Sequence, residues 1–508
     1  MRILPSDATY STFCDLVTGY RMLSVIMQAV NSGIIEAVGK HCCSVEQLLA
    51  ATGLKTGEGR RFAALLVTVG ILEQYDGQLY LSRFSRKYLL ASSPLSQLQV
   101  LEFENLLMDT WRGLGDVLVE GQGGRIADLS PEEYRNRLNL FQNAMGEAAL
   151  VRSRELWDAL PSLPESGTII DAGAGDGVYL REFLGRYPGW RAIACDLPDV
   201  GALRGKDETD PFIIRHCCNL ADPVECDEFV AGYRNTASLL LLSNFIHCYS
   251  EAENGAMLRR LTGLLSEDGI LVIHDFFRDG NTFGALYDLH MMANTYNGRT
   301  YSFDETVRML RGAGLADSCI IELPSRSHAV IAARKLSAGL KSDSLVAVRR
   351  KALELGFFAA EAVDPAAIPV EPWVKAKCRY GCACYGKKWS CPPNSMDDGE
   401  FRELLGSYTK AMVVAGQPPL RTFQEQLLEL EKAAFLDGHT KALVFSGGPC
   451  TWCDSCDDDR CRFPEKRRPS LESCGCDVFA LAQECGIQLG PVRNADDFVQ
   501  YVGLILVE

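Results

Sequence analysis

No run in this 508-residue sequence stays apolar for the ~18 residues that a membrane span requires. The opening, MRILPSDATYSTFCDLVTGYR, has no unbroken hydrophobic core of the kind that directs secretion, so no membrane partner is expected and the expected location is cytoplasmic. Positive charge is in deficit as well: 51 Lys and Arg face 66 Asp and Glu, a formal net charge of -15. Such a surface repels nucleic-acid phosphates and argues against nucleic acid as a partner. What is present is a globular composition, 47% hydrophobic and 23% charged, at a length that predicts roughly three or four compact units.

Residues 1–95 are expected to form the first unit. SVEQLLAATG places Ser44 at a helix N-cap with Gln47 three residues on and Gly53 as the stop. GRRFAALLVTVGILEQYDGQLYLSRFSRKYL then reads as a longer helix and a two-strand wing turning at Asp76-Gly77. The whole is the pattern of a winged helix. Residues 96–335 form the second expected unit. Its first part reads as a helical cover, in which Trp111, Phe141 and Trp157 fall at the spacing of core positions. From Gly167 onwards TIIDAGAG, WRAIACDLP, ASLLLLSNF, GILVIHDFF and HAVIAARK are apolar runs separated by helical stretches, which predicts an α/β fold with a mostly parallel, doubly wound sheet. LSAGLKSDS is a small, polar joint to a third unit, residues 346–508.

The loop Asp171-Ala172-Gly173-Ala174-Gly175-Asp176-Gly177 follows a buried strand and opens a helix. Glycines let backbone approach a ligand closely. The spacing departs from the G-x-G-x-x-G of dinucleotide binders, and a carboxylate at the strand end suits a cationic ligand such as S-adenosylmethionine. About twenty residues later Asp196 ends the next strand, where an acid can take both hydroxyls of a ribose.

These motifs resemble those of the plant-type and bacterial polyketide-type O-methyltransferases. DAGAGDG and CDLPDV are similar to that family's methyl-donor motifs, and SNFIHCYSEAENGAMLRRL, EDGILVIHDF, NGRTYSFDETVRMLRGAGL and HAVIAARK follow in its order over residues 10 to 335. The resemblance implies a Rossmann-like catalytic domain behind a winged-helix dimerisation region, hence a homodimer. It implies a donor pocket lined by Asp171, Gly173 and Gly175, with Asp196 and Leu197 at the ribose and Asn219 and Leu220 beside adenine. His247 falls at the position of the family's general base. Where members read His-Asp-Trp, this chain reads His247-Cys248-Tyr249. His274, Asp275, Asp288 and Asn294 are further candidates to face the acceptor.

Of 20 cysteines, eleven follow Leu345. Cys378, Cys382, Cys384 and Cys391 form one group, Cys450, Cys453, Cys456 and Cys461 a second, and Cys474 and Cys476 follow; Cys485 sits at a core position of a helix. With no secretory leader expected, reduced thiols holding metal are the better reading than a disulfide framework. The C-x2-C-x2-C run is close to ferredoxin spacing, whereas structural zinc prefers two separated C-x2-C pairs, so two [4Fe-4S] clusters are favoured with zinc as the alternative. Either Cys474 or Cys476 can replace a missing ligand. CACYGKKWSCPPN, FSGGPCTWCDSC and CRFPEKRRPSLESCGCDVFALAQECG resemble a family of uncharacterised predicted metal-binding proteins.

The expected function is methyl transfer from S-adenosylmethionine to an oxygen, or a nitrogen, sulfur or carbon nucleophile, of a small aromatic acceptor. The iron-sulfur unit would serve substrate binding, a redox partner or structure. The alternative is a redox-sensing or electron-transfer protein whose methyltransferase fold only binds ligand.

Overall fold

A computed structural model describes residues 9–121, 129–160, 163–203, 211–279, 281–295, 297–334, 344–457, 459–487, 489–490 and 499–508. The joint expected at 336–344 lies outside them, apart from its last residue. The described residues 9–334 belong to one compact unit and those from 344 on to another.

In the first unit, helices Tyr20–Asn31 and Ile34–Lys40 lead to strand β1 (Cys43–Ser44), helices Val45–Thr52 and Thr56–Thr68, then β2 (Leu72–Tyr75) and β3 (Gln78–Leu81). Ser44 caps its helix as its sequence context predicts, accepting from the Gln47 amide while the Gln47 side chain accepts from the Ser44 amide. Asp76 and Gly77, both at positive φ, reverse the chain between β2 and β3. The three strands form an antiparallel sheet in the order β1-β3-β2, and Ala29, Ile34, Leu48, Leu66, Leu72 and Leu79 fill the core they share with the helices. No single helix among the described residues is long and apolar enough to cross a membrane.

Seven strands make the main sheet: β4 (Thr168–Ala172), β5 (Arg191–Asp196), β6 (Ile213–Cys217), β7 (Ala237–Ser243), β8 (Leu265–Asp275), β9 (Asp317–Glu322) and β10 (His328–Ala333). Their order is β6-β5-β4-β7-β8-β10-β9. The first five run parallel, and β10 is antiparallel to both β8 and β9. Five of these strands are the apolar runs of the sequence. The other two are the edges, where one face meets solvent and the apolar run is broken, as by the exposed Ile214 and the polar Arg215 and His216 in β6. The strand order reverses between β4 and β7, so the C-terminal ends of β4, β5 and β7 open on one crevice.

The second unit is an antiparallel sheet of β11 (Ala359–Val363), β12 (Ala411–Gly416), β13 (Leu443–Phe445) and β14 (Tyr501–Leu506) in the order β11-β12-β14-β13. Alternation along β12 divides its side chains between two cores. Ala411, Val413 and Ala415 join Phe401, Leu471, Cys474, Cys476 and Leu481 on one face, and Met412 and Val414 join Phe423, Leu427 and Leu430 on the other.

Candidate functional site

The glycine loop leaves the end of β4 with Gly173 at φ +88 and Gly177 at φ +87, a region L side chains avoid. A Cβ at Gly173 would stand 2.5 Å from the Phe245 ring, and one at Gly177 2.7 Å from the Arg215 guanidinium. The loop is tied to the neighbouring strand, with the Gly173 amide donating to the Cys195 carbonyl at 2.8 Å and the Gly175 amide to Asp196 Oδ2 at 2.6 Å. Asp196 Oδ1 accepts from the Leu197 amide at 2.7 Å. The carboxylate is therefore oriented by two backbone donors at the mouth of the crevice.

That crevice holds a cavity of about 240 Å³. Of the residues expected there, Gly173, Gly175, Asp196, Leu197, Leu220 and His247 line it. Asp171 and Asn219 are not among the lining residues. Asp171 is buried beneath the loop, and neither of its carboxylate oxygens has a hydrogen-bond partner among the described residues. Burial, reinforced by Asp196 and opposed by Arg215, pushes its carboxyl up to about 8. The Asn219 side chain instead accepts from the Ala221 amide at 3.1 Å and closes its own turn. An orphaned buried acid below a cradle that a Cβ would fill fits a cationic donor lying over the loop.

His247 is buried, and its Nδ1 lies 2.6 Å from Asp275 Oδ1. Asp275 Oδ1 also accepts from the Phe276 amide, while Oδ2 has no partner among the described residues. Burial is the largest influence and works to lower the imidazole's affinity for a proton, but Asp275, with Cys248 and Tyr287 adding to it, outweighs burial and the net shift is well upward. The acid missing from the His247-Cys248-Tyr249 triplet is thus supplied by the end of β8. Tyr287 sets its ring edge to face against His247, with centroids 5.3 Å apart.

The other acceptor-side candidates lie elsewhere. His274 is fully buried, with Nδ1 2.9 Å from the Tyr179 hydroxyl and Nε2 2.8 Å from Ser327 Oγ, and burial lowers its pKa to about 3. Asp288 accepts from the Thr300 amide and hydroxyl, and Asn294 bridges Arg137 to the His290 carbonyl. These three do not line the cavity among the described residues, because each is spent on bracing a neighbouring segment. Phe141, read as core, lines the cavity from the long helix Pro131–Ala159, together with Gln142 and Met145. Cys218, Asn244, Phe245, Tyr249 and Tyr287 also line it; Asn244, Phe245 and Tyr249 fall in the SNFIHCYSEAENGAMLRRL segment without being singled out as cavity residues, and Cys218 and Tyr287 had no signal in the sequence.

Residues 130–316 match the family model described as O-methyltransferase domain, and residues 361–507 match the one described as predicted metal-binding protein. The chain contains an O-methyltransferase domain. Its curated relatives include 3-hydroxy-5-methyl-1-naphthoate 3-O-methyltransferase of Streptomyces sahachiroi, 25% identical over 60% of this chain and 88% of that protein. Caffeic acid 3-O-methyltransferase of Zea mays is 23% identical over 57% of this chain and 86% of its own length. Human N-acetylserotonin methyltransferase, solved in complex with SAM, superposes on 66% of this chain and 100% of its own with a TM-score of 0.56 at 18% identity, which shows a shared Rossmann-like methyltransferase fold.

In the metal-binding unit all the cysteines are free. Lys388 Nζ donates to the carbonyls of Cys453 and Asp454, and Trp389 Nε1 to that of Asp457, so the loop carrying the first thiol group is tied to the loop carrying the second. Burial first and neighbouring thiols after it push Cys378 up and Cys391 to about 11; Cys450 and Cys453 are raised by the same causes. A bound cation reverses such shifts, so the chemistry of this donor set fits a thiophilic metal. Among the described residues no three ligand side chains are already gathered closely enough to hold an ion. Cys474 and Cys476 are fully buried in the apolar core of the unit, and Cys485 packs against it.

Proposed function

We propose that the chain transfers a methyl group from S-adenosylmethionine to a hydroxyl of a small aromatic molecule. The observation that carries this reading is that His247, backed by the buried Asp275, lines the same cavity as the glycine loop and Asp196. Asp196 would bind the ribose hydroxyls, and Asp171, ionising beneath the glycine loop as the donor's positive charge arrives, would favour the cationic end from below without lining the cavity. His247 Nε2 takes the acceptor's hydroxyl proton while Asp275 holds the ring through Nδ1 and stabilises the imidazolium. The acceptor oxygen attacks the methyl carbon, the carbon–sulfur bond breaks towards sulfur, and S-adenosylhomocysteine leaves. Asp275 weighs against a fold that only binds ligand, since it gives His247 the orienting acid that the His247-Cys248-Tyr249 triplet lacks. The relatives' aromatic acceptors, and the Phe141, Phe245, Tyr249 and Tyr287 rings around this cavity, support an aromatic substrate. Incubation with labelled donor and a panel of phenols and naphthols tests it, and absence of transfer to every one overturns it.

The thiol groups Cys378, Cys382, Cys384, Cys391 and Cys450, Cys453, Cys456, Cys461 would hold two [4Fe-4S] clusters, which supply one-electron redox chemistry when bound. A winged-helix homodimer is supported by the helix Tyr10–Thr18, which buries none of its residues and exposes Tyr10, Phe13, Leu16 and Val17. A second copy covering that face would give a dimeric mass in light scattering.

A further inference from the structure

Cys195 and Cys218 meet at the adenosine end of the cavity. Their sulfurs are 2.8 Å apart, about 0.8 Å beyond the ~2.05 Å of a disulfide bond. Cys195 ends a fully buried stretch of β5, and its carbonyl accepts from the Gly173 and Ala174 amides, so it anchors the glycine loop. Cys218 is half-buried, lines the cavity, and donates its amide to the Asp196 carbonyl. The two thiols therefore sit next to Asp196 on one side and next to Asn219-Leu220 on the other. They differ in chemistry. The two thiols share one hydrogen bond, which draws the Cys218 thiol below its ordinary pKa, against burial and the Glu225 and Asp196 carboxylates, while Cys195 is raised by the same contact and by burial. One thiol is thus the reachable nucleophile and the other the resolving partner behind it.

We propose that Cys195 and Cys218 are an oxidative modification site that closes to a disulfide and lowers the affinity of the methyl-donor pocket. With a peroxide as oxidant, the Cys218 thiolate attacks one peroxide oxygen, the O–O bond breaks, and a sulfenic acid and one water form. The Cys195 sulfur then attacks the Cys218 sulfur, the S–O bond breaks, and the hydroxyl leaves with the Cys195 proton as a second water. Two thiols and one hydrogen peroxide become one disulfide and two waters. Closing the gap draws Cys218 out of the cavity wall towards the glycine-loop anchor, and residues 218–220 move with it. Linkage requires that donor product favour the reduced pair by the same factor, and product lying over Cys218 also shields that thiol from the oxidant and slows its oxidation.

The consequence for affinity rests on the donor reading above, but the cross-link does not. Reduced full-length protein treated with hydrogen peroxide, alkylated and digested should yield the Cys195–Cys218 cross-linked peptide by mass spectrometry. Calorimetry with S-adenosylhomocysteine should show at least about tenfold weaker binding in the oxidised protein, restored by dithiothreitol. Preincubation with S-adenosylhomocysteine should slow the cross-link. Cys195→Ser and Cys218→Ser should each abolish the cross-link and the oxidant-dependence of affinity, whatever their starting affinity. Pairing of Cys218 with Cys217 or Cys226 instead, absence of the cross-link in the native chain, or a cross-link that leaves affinity unchanged overturns the proposal. Failure of the reduced protein to bind S-adenosylhomocysteine while the cross-link forms would count against the donor reading instead.

Discussion

His247 sits within hydrogen-bond reach of a carboxylate twenty-eight positions later in the chain, and that contact decides its pH behaviour. A base must be unprotonated to act, and Asp275 raises the imidazole's pKa, so turnover should increase with pH as the imidazolium loses its proton. Asp275→Asn removes the foremost of the groups that raise it and should move the acidic limb of the kcat profile to lower pH, while His247→Ala should cost roughly 10²-fold or more in kcat. An unmoved limb in the Asn variant would take Asp275 out of the positioning role. Asp171 makes a demand of the same sign. Its carboxyl stands at about 8, so at neutral pH it must release its proton before it can pair with a cationic donor. Donor affinity should therefore rise with pH and level off above about 8, with proton release seen by calorimetry in buffers of different ionisation enthalpy. Asp171→Asn should remove that release.

Elements matter through where they end. The glycine loop is short because β4 hands directly into the helix Val178–Arg186, and Gly173 passes under Phe245 where no side chain fits. Gly173→Ala would carry a left-handed residue, costing about 1 kcal/mol or more, and would push Phe245 into the cavity. Donor affinity should fall by at least about tenfold, with near-UV circular dichroism reporting that the fold persists. Asp196→Ala at the end of β5 should abolish donor binding, because the two amides that orient the carboxylate would then orient nothing. Undiminished affinity would remove it from the ribose role.

On the scale of the whole molecule, the chain divides into two compact units, one with the O-methyltransferase match and the other with the match to predicted metal-binding proteins. Anaerobic preparations should be brown with about eight irons per chain, and stoichiometric zinc without iron would replace the cluster assignment. The strand–loop–helix around Asp171–Gly177, the Ser44 cap, the Asp76-Gly77 turn and the five central strands were legible in the linear order of residues, because each depends on neighbours a few positions away or on an apolar run long enough to be buried on both faces. The edge strands were not, since half of each faces water and mixes polar with apolar residues. Nor could His274 be told from Asp275: both end β8, yet alternation along a strand sends one into the Tyr179–Ser327 network and the other to His247. By itself, then, the sequence determined which loop opens on the crevice and which acids stand at strand ends, for those are local matters of conformation. Tertiary structure alone decided which acid meets the base, that Phe141 walls a cavity rather than a core, and that Cys195 faces Cys218. Those contacts join segments far apart in the chain, and only the closing of the sheet sets the distances between them.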